Sequence, residues 1–154
     1  SPIQLVFGVG MIIGNLLGGR LADRGVPRAL IITLLALTLA MGLMTFALHS
    51  RVAMVLFAGL LGAAAFATVS PLQLWVLQRA GGAQSLASSL NIGAFNLGNA
   101  FGAWLGGAVI ARGLGLEALP WVGALVPLSA AVVAWIAIRG ERMRDALPGC
   151  ADAA

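Results

Sequence analysis

The sequence predicts an all-α membrane protein with five transmembrane helices, and three observations carry that expectation. Of 154 residues, 60% are hydrophobic and only 9% are charged, where a soluble domain carries about 25% charged residues. Five charge-poor stretches divide the chain, each near the ~20 residues that a helix needs to cross a hydrocarbon core. The links between them are short, so consecutive spans run up and down in a bundle, with no room for a soluble domain. Strands are excluded, because alternation is absent and an open sheet leaves its backbone unsatisfied in lipid.

The first span is expected over residues 2–22, since no charge occurs between Pro2 and Gly19. The second covers 29–49 and contains the uncharged stretch from Ala29 to Leu48. The third, 52–78, lies between Arg51 and Arg79 and contains Pro71, which removes a backbone donor and bends a helix. The fourth, 86–111, lies between Arg79 and Arg112, and the fifth, 118–138, precedes Arg139. Residues 140–154 are expected to form a cytoplasmic tail. The sequence starts at Ser1 with an apolar run and neither a Met nor a charged leader, so it reads as cut from something longer.

All nine basic residues are arginines, and they sit at the ends of the apolar stretches. That is where lipid headgroups and water lie. A nucleic-acid surface requires a clustered basic stripe on a polar fold, so nucleic acid is excluded as a partner. Arg20, Arg24, Arg28, Arg79, Arg139, Arg142 and Arg144 fall on one side of the bundle, and Arg51 and Arg112 on the other. The positive-inside rule places the seven in the cytoplasm, the N-terminus outside and the C-terminus inside. Trp121 and Trp75 fall where an interfacial aromatic belt would lie.

Enzyme chemistry has no visible residues. Cys150 is the single cysteine and His49, in an outer loop, the single histidine, so no disulfide framework, cysteine metal site or cofactor is expected. No Gly-x-Ser-x-Gly, His-Glu-x-x-His or paired intramembrane carboxylates occur. "GVGMIIG" at 8–14 has its third glycine one place late for a dinucleotide loop and no strand before it.

Two glycine triplets stand out instead. Gly10, Gly14 and Gly18 repeat every four residues in the first span, and Gly98, Gly102 and Gly106 do so in the fourth. Such spacing bares one helix face, and bare faces let another helix approach closely in lipid. In the fourth span Ser88, Phe95, Gly98, Asn99, Gly102 and Gly106 fall within about 80° of Asn91 around the helix axis, while Leu90, Leu97 and Trp104 fall elsewhere. An asparagine facing lipid is costly, so this face meets protein or a water-filled path. Asn91 and Asn99 are therefore either interhelical hydrogen-bonding groups or path-lining ones, and Asn15 and Gln73 are open in the same way. No charge lies deep in any span, so a protonatable coupling group is expected outside this stretch.

"GGRLADRGVPR", with Gly19, Leu21, Ala22, Asp23, Arg24 and Arg28, resembles the cytoplasmic loop signature of the major facilitator superfamily. It departs from the pattern at Gly25, Val26 and Pro27. "LASSLNIGAFNLGNAFGAWLGGAVI" looks like the eleventh helix of drug:proton antiporter-type facilitators, especially arabinose-efflux-like bacterial permeases, and "GNLLGGRLADR" like their eighth. The resemblance implies helices 8–12 of a twelve-helix fold in a bacterial inner membrane. It implies that Asp23 and the arginines act as a cytoplasmic latch, and that both glycine faces slide against a missing N-terminal half. It also makes Gln73 and Thr68 cavity candidates. The expected function is alternating-access export of a small solute, a drug or sugar, in exchange for protons. The alternative from the residues alone is a five-span structural or assembly protein that binds helices and transports nothing.

Overall fold

The computed structural model describes residues 2–47, 50–113, 115 and 117–146. Among these it contains five α-helices and no strand: α1 (Pro2–Asp23), α2 (Val26–Ala47), α3 (Arg51–Arg79), α4 (Gln84–Ala111) and α5 (Ala118–Asp145). His49 and Cys150 lie outside the described residues.

The helix ends follow local chemistry. Between α1 and α2 the chain reverses over Arg24 and Gly25, and Gly25 adopts φ +147°, a conformation that strains any other residue. The Gly25 carbonyl then accepts the Ala29 N–H at 2.9 Å, opening α2. Pro27 sits in that first turn, where a missing N–H costs nothing. This makes α2 start three residues ahead of the expected span and puts Arg28 on the helix. Ser50 caps α3, its side chain accepting the Ala53 N–H. Gly81, at φ +55°, turns the chain from α3 into α4.

The first six residues of the expected tail, 140–145, are helical. α5 continues to Asp145, because Arg139, Glu141, Arg142, Met143 and Arg144 all favour a helix. Charge ends a membrane span; it does not end a helix.

Four helices, α1, α2, α3 and α5, are long and apolar enough to cross a membrane, with mean hydropathy between 1.6 and 2.3. α4 is long enough but is not among them, because Asn96, Asn99 and four glycines dilute even its most apolar stretch, residues 94–111. Large apolar side chains such as Leu5, Leu16, Leu39, Leu56 and Val133 are exposed, as lipid-facing residues are.

α1 packs most extensively on α3, and α2 packs on both α3 and α5. Two small apolar clusters anchor this arrangement at the arginine-rich end. Ala22, Val26 and Ala29 form one, with Leu21 against it. Leu30, Leu34 and Ala131 form the other, and Trp75 of α3 touches both. α4 stands apart: it touches α3 and α5 lightly, and Val109 is its single buried residue among those described.

Candidate functional site

The first glycine triplet is fully used inside the chain. A side-chain carbon placed on Gly10, Gly14 or Gly18 would lie 2.1, 2.0 or 2.2 Å from the carbonyl oxygens of Gly59, Ala63 and Ala67 respectively. α3 therefore brings its own bare stripe, Gly59–Ala63–Ala67, at the same four-residue spacing. Each α1 glycine turns a Cα–H toward an α3 carbonyl, a weak contact that only close backbones allow. Ala67 is the residue whose carbonyl loses its helical partner to Pro71, four residues on, and Gly18 covers that carbonyl. Farther along the seam, Ser70 Oγ donates to Asn15 Oδ1 at 2.8 Å, which accounts for Asn15. The expectation that this face meets a missing half is thus corrected. It is occupied by α3, because two complementary small-residue stripes lie in one chain.

The second triplet is not used that way. Gly98 and Gly102 have no atom within 4 Å of a would-be side chain, and Gly106 has only Leu119 Cδ2 at 3.8 Å. The face they share with Asn91 is hydrogen-bonded to the bundle at one end, while Val109, on the same face, is buried at the other. At the first end Gln73 of α3 donates from Nε2 to Ser88 Oγ at 2.9 Å, and Asn91 Nδ2 donates to Gln73 Oε1. Ser88 and Asn91 are one helical turn apart, so one glutamine reaches both. The three side chains form a partly buried polar cluster at the arginine-rich end. An amide has two donors and an acceptor with two lone pairs, so hydrogen-bonding capacity remains on both amides after these contacts.

Toward the opposite end the face opens on a cavity of about 540 Å³. Gly102, Leu105 and Gly106 of α4 line it, opposite Met41, Met44 and Met54. Every lining residue is apolar or glycine, and methionine side chains adapt to irregular shapes. Between cluster and cavity, Gly98 and Asn99 are exposed, and Asn99 makes no hydrogen bond among the described residues. One face of α4 thus presents polar groups, then a bare stretch, then an apolar chamber.

Thr68, expected as a cavity residue, is buried, and its hydroxyl donates to the Ala64 carbonyl of its own helix at 3.1 Å. It lines neither this cavity nor the groove described below. In the loop, Leu21 packs against the first apolar cluster. Gly19 faces open space, and Asp23, Arg24 and Arg28 are exposed. No ion pair involves Asp23 among the described residues.

Among the described residues the structure forms an ion pair that residue spacing does not indicate. Arg79, at the end of α3, meets Glu141 of α5 through Nε–Oε1 and Nη2–Oε2, both side chains partly exposed. Arg79 also lies 3.9 Å over the Trp75 ring and donates to the Trp75 carbonyl at 3.1 Å. The two residues are 62 apart in sequence. Spacing could not have linked them; the signal available was an acid set between Arg139 and Arg142 in an arginine-rich segment.

Helices that carry apolar surface on their outsides, and that pair through small residues within, define a multi-pass helical membrane protein. The family model described as "Major Facilitator Superfamily" matches residues 3–149, and the chain belongs to that superfamily. It is 45% identical over 141 residues to the inner membrane transport protein YdhP of Escherichia coli (strain K12), covering 92% of this chain and 36% of YdhP. It is 33% identical over 150 residues to the uncharacterized MFS-type transporter YtbD of Bacillus subtilis (strain 168), covering 94% of this chain and 38% of YtbD. The chain therefore spans little more than a third of the length of these relatives. No solved structure matches it.

Proposed function

We propose that the protein containing this chain moves a small solute across the bacterial inner membrane by alternating access, and that α4 lines the path. The carrying observation is the α4 face: Ser88 and Asn91, bonded to Gln73 of α3, at one end, uncovered Gly98 and Asn99 in the middle, and the methionine-walled cavity at the other. A solute with an apolar body and a few polar groups suits that sequence of surfaces. Family membership and the transporter names of the relatives support transport over enzyme chemistry. Drugs or sugars are the leading substrate class and efflux the direction, with protons as the exchanged ion. A missing half of the same protein supplies the coupling group and the opposite wall. The N-terminus of this stretch faces outside and the C-terminus the cytoplasm, on the arginine asymmetry. Asp23, Arg24 and Arg28 are exposed and form no ion pair among the described residues, which leaves them to contact that missing half as a latch between halves requires.

The test is transport by the complete protein in proteoliposomes, with labelled solutes screened against an imposed pH gradient. Asn91→Ala is expected to lower the rate at least about tenfold, as loss of a group that binds the moving solute would. Wild-type rates in this variant would remove α4 from the path. Asp23→Asn is expected to slow transport without altering melting, since the carboxylate has no ion-pair partner among the described residues.

A further inference from the structure

A second concavity lies outside the path, between the first turns of α2 and the last turns of α5. Its volume is about 570 Å³, and Arg28, Arg139 and Arg142 line it with Pro27, Ile31, Ile32, Trp135 and Ile138. No carboxylate lines it. Glu141, the nearest acid in sequence, is committed to Arg79 on another side of α5, and no ion pair among the described residues involves Arg28, Arg139 or Arg142. The Arg139 guanidinium stands 5.2 Å over the Trp135 ring, which holds it at the rim.

We propose that this groove holds an anionic phospholipid, its phosphate taken by Arg139 and Arg142 and its acyl chain laid along Ile32 and Trp135. Guanidinium pairs with phosphate oxygens in a bidentate geometry that lysine cannot match. Charge complementarity asks for an anion, and the walls ask for an amphiphile. Ile32 and Trp135 are more than half exposed, at 54% and 52%, on helix surfaces that otherwise face lipid. A free anion would leave that apolar wall unused. The arginines lie at the end of the bundle where the headgroup layer falls, so a lipid in the leaflet already has its phosphate at the right depth. Basic pockets between membrane helices recognise headgroups in this way.

The test uses the complete protein, purified in detergent and offered phosphatidylglycerol or phosphatidylcholine, with retained lipid counted by native mass spectrometry. Wild type is expected to retain phosphatidylglycerol over phosphatidylcholine, and Arg139→Gln with Arg142→Gln to lose roughly tenfold of that retention. Arg20→Gln with Arg144→Gln removes equal charge away from the groove and is expected to keep it. Equal loss in both double variants, or none in the first, would overturn the proposal. Displacement of the lipid by millimolar inorganic phosphate would also overturn it and assign a free anion. A readout that keeps every arginine covers the case in which the variant does not fold. Brominated phosphatidylglycerol vesicles should quench Trp135, taken as the difference between wild type and Trp135→Phe, more strongly than brominated phosphatidylcholine vesicles. Equal quenching counts against the site.

Discussion

The two glycine triplets have the same spacing and opposite fates. In α1, Gly10, Gly14 and Gly18 are buried against backbone carbonyls of α3, and no atom can be added at any of them. In α4, Gly98 and Gly102 meet nothing within 4 Å, and Gly106 barely touches Leu119. The difference lies in the partner helix. α3 carries Gly59, Ala63 and Ala67 at matching intervals, so α1 and α3 close completely, while no helix of this chain offers α4 such a stripe. A bare helix face is thus a capacity for close approach, and whether it becomes static packing or a moving surface depends on what lies opposite.

The largest expected effect breaks the static face. Gly14→Leu would drive a side chain into the Ala63 backbone, which cannot rotate away, so a loss of about 3 kcal/mol or more is expected. Thermal unfolding of the complete protein in detergent would measure it. Gly98→Leu sharpens the contrast: an added side-chain carbon there meets nothing within 4 Å, and leucine favours a helix over glycine, so the stability of this chain's own packing should not fall. Transport should nevertheless be lost if α4 slides on the proposed missing half. Strong destabilisation from both, or neither, would erase the distinction.

A smaller effect is expected at the single polar tether of α4. Gln73→Leu leaves Ser88 and Asn91 without their partner in a partly buried seam, at about 1 kcal/mol. Hydrogen exchange in α4 should rise while α1 and α3 stay protected; uniform exchange across the bundle would mean that α4 is held by more than this cluster. The smallest effect belongs to Arg79 and Glu141. Both are about a third exposed, at 35% and 39%, and water screens such pairs, so a double-mutant cycle with Arg79→Gln and Glu141→Gln should return at most about 1 kcal/mol.

Several features were legible from residue order. The helical class follows from apolar stretches separated by arginines, and the close-packing capacity of both glycine stripes follows from four-residue spacing. The polar face of α4 was also readable, because Ser88 and Asn91 fall on it by simple rotation. The partners were not. Gln73 was one of several polar unknowns until α3 and α4 were set side by side. Thr68 looked the same as Gln73 in sequence, yet its short β-branched side chain bonds back to Ala64 while the longer amide reaches the next helix. Glu141 lies in the expected tail, and its meeting with Arg79 depends on α5 running on to Asp145.

What the sequence determined by itself is the solvent of each segment and the faces each helix has to offer. These depend on composition and on the 100° advance per residue, and both are local. What only the tertiary structure decided is which faces meet: α1 with α3, α4 lightly with α3 and α5, Arg79 with Glu141, and Arg28 with Arg139 and Arg142. In lipid, apolar surface gains little by choosing one apolar neighbour over another, so hydropathy carries no pairing information. Pairing is settled by backbone shape and by single polar contacts between residues far apart in the chain, and those exist only once the helices are assembled.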